Sequence, residues 1–356
     1  LDCDLDLLTA ALLPGVGPRA IKDLSARAPL RDALARPEEH KDLLPAEAVS
    51  LLRTGAANRR AAGEVEGARR LGITILGWDA PAYPALVRRT FDPPPVLYVR
   101  GQVTPAGTEG PPIALVGARA ATSAGRALAE AMARDLASAG ATVVSGLARG
   151  IDTAAHRGAL RGRGRTVAVL GSALDRLYPG ENADLAAAIA EEGAVVSEFP
   201  LGTGPKPGHF PRRNRVIAGW SRAVVVVEAA ARSGALITAR YALDEGREVM
   251  AVPGHPSQRG SSGANQLLRD GAALVRDAAD VASELGLDLP SAKAPRGAGS
   301  LEGALRTGVP LSLEELEERT GSPLPELLAD LGRLELEARV RRLPGPLYLG
   351  IAPETV

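Results

Sequence analysis

A chain of 356 residues exceeds one average domain, and its length predicts two or three. Apolar residues at 45% and charged residues at 24% exclude wholesale disorder and a fibrous or collagenous chain. Lysine plus arginine and aspartate plus glutamate each number 42, so the formal charge is zero and any nucleic-acid site must be a local patch. Cys3 has no partner in the chain, which points to a reducing compartment and excludes a thiolate metal cluster. No apolar run approaches the roughly 18 to 20 residues that span a bilayer, and LDCDLDLL is acidic where a signal peptide would be basic. The expectation is a cytoplasmic protein without membrane insertion. Arginine supplies 38 of the 42 basic residues, leaving Lys22, Lys41, Lys206 and Lys293, a bias read as genomic rather than functional.

Residues 1–70 read as an all-helical domain, with apolar positions such as Leu7, Leu8, Leu12 and Leu13 and later Leu43, Leu44, Val49, Leu51 and Leu52. Within it, LPGVGPRAIKDL places Gly15 and Gly17 in a tight turn ahead of a helix. Such a turn suits either a helix-hairpin-helix contact to a DNA phosphate or a plain connection between two helices. From about 71 the pattern changes. ITILGW reads as a strand, and the proline-rich APAYPALVRRTFDPPPVLYVRG as extended or turning chain. Then IALVG, TVVSG, TVAVLG, AVVSEF, AVVVVEA, EVMAVPG and AALVR alternate with alanine-rich helical stretches. That order predicts an α/β fold over 71–287 with a doubly wound, mostly parallel sheet. Residues 288–300, rich in proline, glycine, alanine and serine, read as a linker, and 301–356 as three helices and two short strands, a small winged helix.

Ligands of open α/β sheets bind beyond the carboxyl ends of the strands. In VGARAATSAG, Gly117 lets the chain leave its strand tightly, Thr122 or Ser123 caps the next helix, and Arg119 projects between them. In SGLARGID, Ser145 and Gly146 allow close backbone approach and Arg149 supplies charge, while Asp152 reads as the cap of the next helix. His156 has no carboxylate or second histidine at ligand spacing and reads as a packed or surface residue. After Glu228, the residues Ser233, Gly234 and Thr238 could present amides and hydroxyls to an anion, or merely begin a helix. Asn265, in GSSGANQ, completes the candidate DNA-binding set.

The segment FPLGTGPKPGHFPRRNRVIAGWSR is the most informative. From Phe199 to Val227 it holds five basic residues, Lys206, Arg212, Arg213, Arg215 and Arg222, and no acidic one. Phe210 and His209 can stack on bases, Asn214 can hydrogen-bond and the arginines can pair with phosphates, which together make single-strand chemistry. There is no GxxxxGK[ST] motif, no GxGxxG at the first strand, and no legible paired-carboxylate, Ser-His-Asp or metal constellation. Catalytic residues, metals and cofactors are therefore not expected.

Taken in order, YPALVRRTFDPPPVLYVRG, VGARAATSAG, SGLARGIDTAAH, VLGSALDRLYPGEN, SEFPLGTGPKPGHFPRRNRVIAG, EAAARSGALITA and PGHPSQRGSSGANQLLRDGA resemble the DNA-processing protein family known as DprA or Smf, across about 200 residues. The resemblance implies a Rossmann-like domain that binds single-stranded DNA during natural transformation, protects it and loads the RecA recombinase. It implies a mediator, not an enzyme, and a homodimer built on the central domain. The family's positive pocket maps onto Arg119, the stretch from Lys206 to Phe210, and the run from Phe210 to Arg215. Leu267, Leu268, Leu274 and Val275 are candidates for a dimer surface or for the monomer core. In the winged helix, Glu326, Asp330, Glu335 and Glu337 outnumber Arg333 and Arg339, which favours a protein partner over a DNA groove. Two other readings are a phosphoribohydrolase-type enzyme, using the loop from Glu228 to Thr238, and a sequence-specific transcription factor.

Overall fold

The computed structural model describes residues 3–103, 110–287, 301–305, 310–320, 322–337, 339–343, 345 and 347–351. The linker read at 288–300 lies outside them. Contacts divide the chain into two compact units, 1–289 and 290–356.

The first unit opens with five helices, α1 (Leu5–Ala11), α2 (Pro18–Arg27), α3 (Leu30–Ala35), α4 (Ala46–Arg53) and α5 (Ala56–Arg70). Local chemistry sets their ends. The Asp4 carboxylate accepts from the Asp6 N–H to cap α1, Gly15 turns the chain at φ +71°, and Pro18 occupies the first position of α2 behind Gly17. Leu7 and Leu8 of α1 and Ile21 and Leu24 of α2 are buried in one core with Ile75, Tyr98, Leu147 and Leu170 of the following segment. Residues 1–70 and 71–287 therefore share a hydrophobic core.

Next come β1 (Thr74–Gly77), α6 (Ala85–Arg88) and β2 (Val96–Gly101). Thus the proline-rich segment contains a helical turn and a strand, pinned by Tyr83, whose fully buried hydroxyl donates to the Pro94 carbonyl at 2.7 Å. The remaining elements alternate: β3 (Pro112–Gly117), α7 (Ser123–Ser138), β4 (Thr142–Ser145), α8 (Ile151–Arg161), β5 (Thr166–Leu170), α9 (Ala183–Glu192), β6 (Ala194–Ser197), α10 (His209–Trp220), β7 (Ala223–Glu228), α11 (Gly234–Asp244), β8 (Glu248–Ala251), α12 (Ser262–Arg269), β9 (Ala273–Leu274) and α13 (Ala278–Glu284). The seven parallel strands lie in the order β6-β5-β4-β3-β7-β8-β9, and antiparallel β2 and β1 extend the β6 edge. All six residues of β7 are buried, as expected for a parallel strand covered on both faces. The order reverses between β4 and β7, on either side of β3, which opens a crevice at the carboxyl ends of these strands.

Of the four apolar residues considered for a dimer surface, Val275 is fully buried in the core on one face of the sheet, Leu267 and Leu268 are half-buried against the core on the other, and Leu274 is exposed on edge strand β9.

The second unit contains α14 (Leu301–Leu305), β10 (Leu311–Ser312), α15 (Leu313–Thr320), α16 (Leu324–Leu336), β11 (Val340–Leu343) and β12 (Leu347–Gly350), with a three-stranded sheet ordered β10-β12-β11. Leu316, Leu327, Leu331, Leu334 and Tyr348 form its own core.

Because the first five helices cover the β1, β2, β6 and β5 end of one face of the large sheet, a fragment of residues 71–287 should melt well below a fragment of 1–287 and should bind a hydrophobic dye. Each large side chain stripped of its cover forfeits up to about 1.5–3 kcal/mol. Thermal melts and dye fluorescence of the two fragments check this, and equal melting temperatures would refute it.

Candidate nucleic-acid interface

A cavity of about 400 Å³ sits in the crevice, lined by the β3 exit at Val116 and Gly117, by Arg119, by Phe210, Pro211 and Asn214 of α10, and by Ser233, Gly234 and Thr238 at the start of α11. Its floor is Arg213. This guanidinium is 4% exposed; Nη1 donates to the Gly146 and Val169 carbonyls, both at 2.5 Å, and Nε donates to Asn214 Oδ1 at 3.1 Å. Burial, opposed by the charge of Asp152, lowers its pKa to about 10, so it remains a cation. A β-carbon at Gly146 would overlap that guanidinium, which accounts for the glycine. The loop is held from below by Asp152, whose carboxylate accepts from the Gly146 and Ala148 N–H groups. Asp152 therefore braces the loop, and Gly150, at φ +77°, is the residue that precedes α8.

Phe210 forms the wall between this cavity and a smaller one of about 80 Å³ that reaches Arg149 and Tyr178. The Arg119 guanidinium lies 4.8 Å from the Phe210 ring centroid, and the Tyr178 ring packs on it at 5.7 Å and 54°. Arg119 and Lys206 are exposed and have no ion pair among the described residues. The loop carrying Lys206 is anchored by the Glu64 carboxylate of α5, which accepts from the Leu201 N–H at 2.6 Å, and by Asp175, which accepts from the Gly202 N–H.

The structure corrects several accessibilities expected from sequence. Ser145 is fully buried and its hydroxyl donates to the Leu115 carbonyl; Thr238 is 2% exposed. Asn265 spends its amide on both backbone groups of Gly254. Arg149 is exposed but pairs in bidentate fashion with Glu181. His209 stacks on Phe199 at 4.3 Å rather than facing outward. The arginine run is not a free cationic surface. Arg212 and Arg215 both donate to Glu198 Oε2, at 2.9 and 2.5 Å, Arg215 also meets Asp92, and Arg213 is the buried floor. Asn214 donates to the Gly234 carbonyl at 3.2 Å, tying α10 to α11. The balancing acid for the run is Glu198, one residue before the acid-free stretch.

Other features around the candidate site lie outside the sequence-based set. Tyr178 is one. Arg232 and Arg240 line a neighbouring depression with Ser233, Ile237 and Tyr241, and neither has an ion pair among the described residues. Glu228 turns back beneath α7, where its carboxylate accepts from the Thr122 N–H at 3.1 Å and the Thr122 hydroxyl at 2.8 Å. Thr122 in turn caps α7 by accepting from the Gly125 N–H. Asparagine and serine side chains, with no charge imbalance or motif to mark them, gave the sequence no sign of which would be internal.

With this architecture in view, comparison with known proteins is decisive. The profile described as DNA recombination-mediator protein A matches residues 74–286, and that described as the DprA winged helix domain matches 290–346. The chain belongs to the DNA recombination-mediator protein A family. Protein Smf of Escherichia coli (strain K12) is 38% identical over 328 residues, covering 84% of this chain and 86% of that protein. The X-ray structure of DNA processing protein A from Streptococcus pneumoniae superposes with a TM-score of 0.68 at 31% identity, covering 80% of this chain and 99% of that one. DNA processing protein A of Helicobacter pylori, whose structure was described for its single-stranded DNA binding mode, gives 0.53 at 28% identity over 60% of this chain and 95% of its own. The carboxy-terminal unit of this family member is a winged helix, as its helix and strand order predicts.

His156 supplies a pH test of the packing under the interface. Its Nδ1 lies 2.8 Å from the Thr166 hydroxyl and its ring is fully buried; burial first, and the Arg213 charge second, push its pKa from 6.5 down to about 3. Between those values the unfolded chain binds a proton that the folded chain refuses. Stability is thus fully present above pH 6.5 and falls as the pH drops toward 3, by at most about 1.4 kcal/mol per pH unit from this group. Denaturant midpoints at about pH 7 and about pH 5 should differ, and the difference should shrink in His156→Asn. An unchanged difference would remove His156 as the source.

Proposed function

We propose that the crevice binds single-stranded DNA without sequence selection and without covalent chemistry, and that the chain passes the strand to a RecA-type recombinase during transformation. The observation that carries this reading is the Arg119, Phe210 and Tyr178 cluster at the mouth of the cavity: an aromatic face for a base beside a guanidinium for a phosphate. Arg232 and Arg240 line the adjoining depression, and Lys206 is exposed on the loop that leads into Phe210's helix; none of the three has an ion pair among the described residues. The Helicobacter pylori relative's described single-strand binding supports the ligand, and the family's description as recombination mediators supports the recipient. Protection of the strand follows from its partial enclosure. We read the active form as a cytoplasmic homodimer through the β9 edge, where Leu274 is exposed, because two linked sites on one strand raise avidity. Among the described residues no helix is long and apolar enough to cross a membrane.

Nucleotide hydrolysis is the less favoured reading because Glu228, the carboxylate that opens the loop running to Thr238, is committed to Thr122. Cleavage of nucleoside monophosphates, without oligonucleotide binding, would reverse the preference.

Each phosphate neutralised on a single strand contributes about 0.7 to the slope of log affinity against log salt. Replacing Arg119 and Lys206 together by alanine should flatten that slope by about 1 to 1.5, measured by fluorescence anisotropy of an oligonucleotide over a salt series. Phe210→Ala should weaken binding by about 1–3 kcal/mol with little change in slope, since stacking releases no counterions. A parental slope in the double variant would place the strand elsewhere. Deleting residues 301–356 should leave affinity within a few-fold, given the acidic α16 with Glu326, Asp330 and Glu335; a hundredfold loss in a folded truncation would contradict the assignment.

A further inference from the structure

Behind α10 lies a second groove, of about 730 Å³, which the function proposed above does not use. One wall is the turn before α2, at Leu13, Gly15, Val16, Gly17 and Pro18; the other is Glu198, Pro211, Arg212 and Arg215. The fold thus brings together two features far apart in the sequence, the glycine turn and the arginine run. The groove shares Pro211 with the main cavity and Tyr241 with the depression holding Arg232 and Arg240, so it adjoins both.

Two independent features of the groove call for a ligand. The first is the start of α2, a helix of ten residues that no side chain caps and whose Gly17 and Pro18 line the groove; the exposed Arg19 and Lys22 follow on the same helix, outside the groove lining, and neither has an ion pair among the described residues. The second is Glu198. Its side chain is 2% exposed, Oε2 accepts from both Arg212 and Arg215, and Oε1, equally buried, accepts from nothing. A buried carboxylate oxygen without a donor is costly, and Glu198 is among the residues that line the groove.

We infer that the strand held in the main cavity continues into this groove, with a phosphate at the start of α2 and a nucleobase bearing an exocyclic amino group donating to Glu198 Oε1. The inference rests on the single-strand reading of the main cavity. Cytosine, adenine and guanine each offer the amino donor that a carboxylate accepts. Thymine offers an imide N–H set between two carbonyl oxygens, which the carboxylate repels. The groove therefore adds a base preference to an otherwise unselective track.

Hydrogen exchange of the full chain, free and with oligonucleotides of about 5 and about 20 nucleotides, tests this. The long oligo-dC should protect both residues 13–24 and the segment around Phe210, while the short one should protect only the latter. The long oligo-dC should also bind about tenfold tighter than the long oligo-dT, the discrimination expected of one base–carboxylate contact. Arg19→Glu with Lys22→Glu, both on an exposed helix face, should weaken the long oligonucleotide several-fold and leave the short one unaffected. Protection around Phe210 without protection of 13–24 overturns the inference and leaves the main-cavity reading standing. Absence of protection at both sites removes the two together. Protection of 13–24 that is equal for oligo-dC and oligo-dT overturns the role given to Glu198.

Discussion

The Arg213 side chain leaves α10 and ends beneath the exits of β4 and β5, where its donors meet the Gly146 and Val169 carbonyls and the Asn214 amide oxygen. A guanidinium so deeply buried is tolerable only if its charge is opposed and its N–H groups are met, and both conditions reach across the sheet. Asp152 provides the opposing charge while holding the amides of the same loop. Leu147, between those amides, adopts φ +56°, a conformation costing of order 1 kcal/mol or more, and is kept there by its buried side chain and by the Asn182 amide donating to its carbonyl. One cation therefore fixes the loop that carries Arg149 and the helix that carries Phe210. Both walls of the crevice depend on it.

The parallel sheet was legible because each of its strands is a short β-branched run bounded by glycine or by a helical stretch, as in TVAVLG and AVVVVEA. Strand β2 was harder to see. VLYV has strand composition, but the three prolines before it argued for extended chain, and its antiparallel partners β1 and β6 cannot be inferred from local pattern. The positive site was legible as a region and not as a set of contacts. Counting cations between Phe199 and Val227 finds five, yet burial removes Arg213, and Glu198 and Asp92 engage Arg212 and Arg215. Asp92 lies 123 residues from Arg215, so no window of sequence could have paired them. Arg119 was legible for a physical reason: it follows a glycine at a strand exit, where the backbone leaves the sheet and side chains are free to project. Arg232 and Arg240 stand singly in an alanine-rich run, and only the curvature of the surface makes them neighbours of the crevice.

The α5 helix contributes more than cover for the sheet. Through Glu64 it fixes the Leu201 amide, at the start of the glycine-proline loop that carries Lys206. The amino-terminal helices thus help set the position of an exposed cation on the loop that leads into α10. This linkage means that changes in the helical core can be read out at the binding surface without any contact to a ligand.

The Glu228 carboxylate beneath Thr122 occupies the ground where folds of this architecture ordinarily seat a phosphate, at the amides opening the helix after the first parallel strand. The protein carries its own anion there. A free nucleotide would have to displace a tethered competitor whose effective concentration is high. On the single-strand function proposed above, monomeric nucleotides are thereby kept from filling a site meant for the polymer.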